Sequence, residues 1–263
     1  MVQIRDGKVL KKCNFDIYKL YNYLRSRNFD YLTEILDYKD DIVTFKYEED
    51  YSIDINQKGM DLIKLVGLLH SKSTYYKMIS KDKYKEIYDL IRNNLLYLDN
   101  YYNELFDEFI NIEYMSPSKY LFLNNYYIIN SSIKYCLDNI DNWYSNVSDA
   151  NKERVVLVHN NLRLDHYIKN DNEYLISFEK YIIDSPIIDL YKFYNNEWNK
   201  LNFKDIFNEY NEYCNLNNDE VILLNVMISM PSKIDFIGRE IDICSKLRYL
   251  IEYLKNGVNV IKE

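Results

Sequence analysis

Glycine and proline are nearly absent from this chain of 263 residues, which holds five and three of them; average usage would give roughly 32 together. The shortage excludes collagen-like and Gly/Ser-linker chains. It also argues against an all-β fold, whose tight turns consume both residue types. Gly7, Gly59, Gly67, Gly238 and Gly257 are too scattered for a GxGxxG or GxxxxGK phosphate loop. The four cysteines, Cys13, Cys136, Cys214 and Cys244, contain no CxxC pair. Neither a zinc site nor a disulfide framework is expected, and each cysteine reads as a reduced core residue. A basic stripe is missing, and the net charge is -8, so nucleic acid is not an expected partner. No apolar run approaches the ~18 residues of a membrane span. The start, MVQIRDGKVL, lacks the apolar core of a secretion signal. We expect a cytoplasmic protein.

What is present is an ordinary globular composition, 48% hydrophobic and 28% charged, long enough to bury its own core. The 29 tyrosines and 32 asparagines stand against a single alanine, Ala150. Tyr and Asn have AT-rich codons and Ala a GC-rich one, so the excess reads as genome base bias rather than a binding role for tyrosine.

Along the chain, residues 14–28 place Phe15, Ile17, Tyr18, Tyr21 and Leu24 near helical spacing. Two β-rich runs follow, Tyr31–Leu36 and Ile42–Tyr47, with a turn over 37–41. After an acidic, irregular connection at 48–56, Met60, Ile63, Val66, Leu69 and His70 mark a helix. Residues 83–113 form one long helical pattern. Ser116 as N-cap and Pro117 in the first turn open another, which runs to about Asn146. Val155–Val158 reads as a buried strand. A hairpin of Tyr167-Ile168 and Tyr174–Phe178 turns at 170–172. Helices return at Ile187–Asn195, Phe203–Cys214, Glu220–Ser229 and Glu240–Lys255, with Asn218 or Asp219 able to cap the third. The order is a small α/β head, then a helical body interrupted by one β insert.

Residues 155–190 carry the specific information. A strand leads into a loop at His159, then the hairpin, then Asp184-Ser185-Pro186-Ile187-Ile188-Asp189-Leu190. The segment resembles the choline kinase and aminoglycoside phosphotransferase family, including the bacterial spore-coat kinases. In that family's order, His159-Asn160-Asn161-Leu162 falls on a catalytic HGDL and His166 on the loop asparagine. Ile176-Ser177-Phe178-Glu179 falls on a metal-binding IDFE, and Asp184–Leu190 on a DxPxxDL segment. The helix ending Leu68-Leu69-His70 is similar to the family's first C-lobe helix. The resemblance spans about 30–255 and is strong in 155–194. It implies an α+β, protein-kinase-like bilobal fold: a reduced N-lobe of helix plus short antiparallel sheet at 1–50, and a mainly helical C-lobe at 51–263 carrying the catalytic-loop-like hairpin at 155–190.

The departures from the family pattern fall on the chemistry. Phosphoryl transfer uses an aspartate to position the acceptor hydroxyl, and an asparagine and an aspartate to hold Mg²⁺. The matching positions here are Asn161, His166 and Ser177. An amide is no base near neutral pH, imidazole is a poor magnesium ligand, and a neutral hydroxyl brings no charge. Lys11 or Lys12 is the candidate remnant of the nucleotide-binding strand lysine. The helix at 14–28 has no glutamate for it, the first Glu being Glu34, and Asp16 is the only carboxylate near in sequence. Only two head strands plus a stub are recognisable. The resemblance implies structural roles for His159, beneath the loop, and for Asp189, on the loop backbone. His70 reads as a satisfied core histidine. Asp165 is a possible substitute catalytic group and Glu179 a possible substitute metal ligand, though solvated or structural carboxylates are commoner. Trp143 and Trp198, with Asp141 and Glu197 beside them, are read as ordinary half-buried tryptophans rather than a cage for a cation.

The leading expectation is a catalytically degenerate pseudokinase, without cofactor, that binds an unknown small molecule or protein in the old cleft. The first alternative is an active phosphotransferase using ATP and Mg²⁺ through Asp165, Glu179 or Asp184. The second is a structural coat or assembly protein.

Overall fold

The computed structural model describes residues 2–80 and 82–261. They divide into two compact units, one of residues up to Lys77 together with Arg154–Leu216, the other of Met78–Glu153 together with residues from Asn217 onward.

In the first unit, β1 (Val2–Arg5) and β2 (Lys8–Lys12) form an antiparallel hairpin. Its turn residues Asp6 and Gly7 both have positive φ, 49° and 68°. Asp-Gly suits that turn because its twist matches the strands and glycine has no Cβ to clash. Helix α1 (Ile17–Ser26) follows, capped by the Asp16 carboxylate on the Lys19 N–H, and it buries Ile17, Leu20, Tyr21 and Leu24. Strands β3 (Ile35–Lys39) and β4 (Ile42–Lys46) close on Asp40-Asp41, again both at positive φ. The four strands make one sheet ordered β1-β2-β4-β3. The expected two strands and a stub are therefore corrected to four, and the strand expected at Tyr31–Leu36 lies at Ile35–Lys39. The two-residue turn sets that register, so β3 extends to Lys39.

Helix α2 (Ile55–Ser73) begins where Asp54 accepts from the N–H groups of Asn56 and Gln57. β5 (Tyr75–Met78), β6 (Lys152–Val158) and β9 (Ile182–Asp184) form a second sheet, ordered β5-β6-β9. Between β6 and β9 sits the small hairpin of β7 (Tyr167–Lys169) and β8 (Glu173–Leu175). The second arm expected to reach Phe178 ends at Leu175, because Ser177 turns into the left-handed region at φ 73°. α5 (Ile187–Glu197) and α6 (Phe203–Tyr213) complete the unit, α6 packing on α2. The glycines of α2 allow the approach: a Cβ on Gly67 would stand 2.8 Å from Tyr213 Cβ.

The second unit is helical: α3 (Lys83–Ile110), α4 (Pro117–Val147), α7 (Asn218–Ser229) and α8 (Glu240–Ile261). Leu95, Cys136, Ile140, Trp143, Val147 and Val226 form one core cluster. Ser116 stands at the N-cap of α4 without a side-chain cap bond. Glu240 takes the role instead, accepting the Ser118 N–H at 3.0 Å. At α7 the cap is Asn217 rather than Asn218 or Asp219, its N–H donating to the Glu220 carboxylate. Among the described residues, no helix is long and apolar enough to cross a membrane.

Gly67→Ala is expected to lower stability by about 1–3 kcal/mol through overpacking at Tyr213, despite alanine's better helix propensity. A melting temperature equal to or above that of the unmodified chain would show that the close approach is not a constraint.

Candidate functional site

The site is built on the chain reversal after β6. Strand hydrogen bonding ends at Val158, and the next two N–H groups have no ladder partner. The buried Asp189 carboxylate supplies it: Oδ2 accepts the His159 N–H and Oδ1 the Asn160 N–H, both at 2.7 Å. The same Oδ2 accepts from His70 Nε2 at 3.1 Å. On its other side the His70 ring meets the Tyr210 hydroxyl, 2.8 Å from Nδ1. His70, Asp189 and His159 are fully buried. Asn160 takes a positive φ of 64°, a conformation that asparagine tolerates better than most residues. Its side chain donates to the Lys180 carbonyl at 2.8 Å and accepts from Lys192.

Beyond Asn161 the chain makes a 3-10 turn over Leu164–His166. His166 Nδ1 lies 2.7 Å from the Asn161 carbonyl oxygen, so the backbone rather than the Asn161 amide is its partner. Asp165 is mostly exposed and pairs with Arg163 at 3.3 Å. His159 Nε2 donates to the Ile176 carbonyl at 2.7 Å, and Phe178 packs edge-on to the His159 ring.

Lys11 and Lys12 are adjacent on β2, so strand alternation sends them to opposite faces. Lys11 turns inward and Lys12 is exposed. Lys11 Nζ donates to Ser177 Oγ at 2.9 Å and pairs with Glu179 Oε1 at 2.7 Å. The lysine thus has a carboxylate partner after all, but from the far end of the hairpin segment and not from α1 or Asp16. A cleft of about 370 Å³ surrounds this contact. Its walls include Val9, Tyr21, Phe45 and Glu48 from the head and Asp165, His166, Ile176 and Phe178 from the hairpin region. The head walls were not read from the sequence. The Asp6-Gly7 dipeptide, after the alternating Val2-Gln3-Ile4-Arg5, was the signal for the hairpin that carries Val9.

Asp184 lies outside this lining, its carboxylate accepting the Ser185 N–H at 2.8 Å. Among the described residues, no three His, Cys, Asp or Glu side chains come together as a metal cage. Trp143 and Trp198 are both buried.

Burial pushes the His159 pKa down. The His166 pKa is lowered too, first by burial and then by the neighbouring His159. Burial alone would raise the Asp189 pKa, but the hydrogen bond and charge of His70, together with His159, bring it below the ordinary value.

No family model matches the chain, and no curated protein matches it either. Solved structures do. An aminoglycoside phosphotransferase from Alicyclobacillus acidocaldarius superposes with a TM-score of 0.67 at 8% identity, over 100% of this chain and 91% of its own. A spectinomycin phosphotransferase bound to AMP gives 0.47 at 12%, over 97% and 83%. A choline kinase from Streptococcus pneumoniae gives 0.43 at 11%, over 99% and 89%. The chain has the kinase-like α+β fold of an aminoglycoside phosphotransferase, as its catalytic-loop segment led us to expect.

Asp189→Ala is expected to destabilise the protein by about 3–5 kcal/mol, since it leaves two loop N–H groups and His70 without their buried acceptor. A loss under about 1 kcal/mol in denaturant unfolding would show that the loop does not rest on it. Acid is expected to destabilise in two stages. An unfolded histidine binds a proton near pH 6.5, whereas buried His159 resists it, so the unfolded state carries more protons and stability falls as pH drops below about 6.5. The Asp189 contribution, held above the ordinary carboxylate pKa of about 3.9, is lost below that value. A melting temperature flat from pH 8 to pH 5 would contradict the first stage.

Proposed function

We propose that this protein is a catalytically degenerate member of the phosphotransferase fold, binding a small molecule in the cleft at Lys11 without magnesium-dependent phosphoryl transfer. The observation that carries this reading is the pair of contacts from Lys11 to Ser177 and Glu179. In kinases the strand lysine reaches the nucleotide phosphates while a nearby aspartate holds the metal. Here the lysine spends its charge on Glu179 and its donor on Ser177, the residue at that aspartate's position.

The donor set does not fit Mg²⁺, which needs hard oxygen ligands. The Ser177 hydroxyl accepts from a cation, and His166 offers nitrogen. Asn161, at the base position, cannot take a proton from an acceptor hydroxyl. Asp165 is tied to Arg163 and Glu179 to Lys11, so these two carboxylates each already have a cation, and Asp184 lies outside the cleft lining. Val9, Ile17, Tyr21, Phe45, Ile176 and Phe178 give the cleft an aliphatic and aromatic wall beside its charged residues, a surface that suits a ring-bearing ligand.

Calorimetric titration with ATP, with and without Mg²⁺, tests the reading. Any nucleotide binding is expected to be indifferent to the metal, and phosphate release is expected to stay at the uncatalysed background. Asn161→Asp alone is expected to leave it there. Metal-dependent turnover would instead support an active enzyme working through Asp165 or Glu179.

A further inference from the structure

We propose that the groove between the middle of α4 and the last turns of α8 is a second binding site, for a single-chain amphiphile with an anionic head, a medium-chain carboxylate being the simplest. The two helices are pinned together at their starts, where Glu240 accepts the Ser118 N–H, and α8 packs on α4 within the second unit. Further along they do not close. A cavity of about 620 Å³ opens between them, within the size range of small-molecule sites and larger than the cleft at Lys11. Ser131 and Ser132 of α4 and Ser229 at the end of α7 border this space. Side chains that small leave open a gap that a close-packed interior would fill with larger ones.

The lining has an apolar body and one polar end. Ile128 and Leu254 are its buried apolar members. Tyr127 and Val258, 67% and 41% exposed, stand open to solvent on the two helices. An alkyl chain therefore enters without rearrangement, and its burial takes apolar surface of both helices out of water. The serine hydroxyls donate back to the backbone, Ser131 to the Tyr127 carbonyl at 2.6 Å and Ser132 to the Ser229 carbonyl, so their hydrogens are not offered to a ligand. The donors of the groove stand on α8: the Lys255 ammonium and the Asn259 amide, four residues apart and so on one face of the helix. Lys255 is the one charged side chain among the lining residues, and no carboxylate shares the groove with it. In a chain of net charge -8, an apolar groove whose only charge is positive selects an anionic head over a cationic one. The head group is placed at Lys255 and Asn259, and the alkyl chain runs past Ile128 and Leu254.

The lining belongs wholly to the second unit, so this site and the cleft at Lys11 stand or fall separately. The full chain, labelled at its backbone amides, is titrated with decanoate below its micelle concentration and, in parallel, with decyltrimethylammonium. Decanoate is expected to shift amides of 127–135 and 254–261, saturating at one equivalent. The cationic amphiphile is expected to bind at least about fivefold more weakly, the worth of one partly solvated ion pair. Lys255→Met keeps the apolar stem and removes the charge; it is expected to weaken decanoate by about the same factor and to abolish the preference for the anion. Ser131→Trp, which fills the groove from an exposed helix position, is expected to remove binding of both. Absent or unsaturating shifts, shifts centred elsewhere, equal affinity for the two amphiphiles, or unchanged affinity in Lys255→Met would overturn the site. So would a dimer of the unmodified chain that Ser131→Trp splits, since the groove would then belong to a second copy. Should Ser131→Trp fail to fold, the shifted amides and Lys255→Met decide. ATP turnover with Mg²⁺ would defeat the proposed function while leaving this titration intact.

Discussion

The Asp189 carboxylate organises the functional face of the first unit. It sits in the first turn of α5, where the helix dipole favours negative charge, and is fully buried. A buried carboxylate is tolerated only when donors surround it. Its three come from separate places: the α2 histidine and two consecutive backbone N–H groups after β6. Strand end, helix α2 and helix α5 are thereby joined at one point. The left-handed Asn160, the inward His159 ring and the turn that carries His166 all follow in the chain from that reversal. None of this requires chemistry of the loop. The side chain that anchors the loop is thus a different one from those the loop presents to the cleft.

The cleft illustrates that separation. Its frame is intact: a four-stranded sheet, an inward strand lysine and a hairpin segment facing it. Its polar equipment is rearranged. Lys11 neutralises Glu179 and bonds Ser177, and the tautomer of His166 is set by a backbone carbonyl. The result is a cavity in which aliphatic and aromatic walls stand beside an internal lysine–carboxylate pair.

Local signals served the sequence reading well wherever neighbours decide structure. The long helices were visible in the three- and four-residue recurrence of Ile, Leu and Phe. The loop from His159 to Leu190 was legible because its turns depend on residues close in sequence. Asp6-Gly7 was an equally local signal and went unread, since Val2–Arg5 alternates over only four residues and Lys8–Lys12 breaks the pattern. Caps were less legible. Ser116 occupies the N-cap of α4, yet Glu240, more than a hundred residues away, holds its Ser118 N–H.

Periodicity, turn residues and the run from Val155 to Leu190 were enough to assign helices and an α+β kinase-like frame. They could not assign a partner to Lys11. Two side chains 166 positions apart meet only because the head sheet and the hairpin segment pack around the same cleft. Such a meeting depends on the angle and depth of packed elements, which no spacing along the chain encodes.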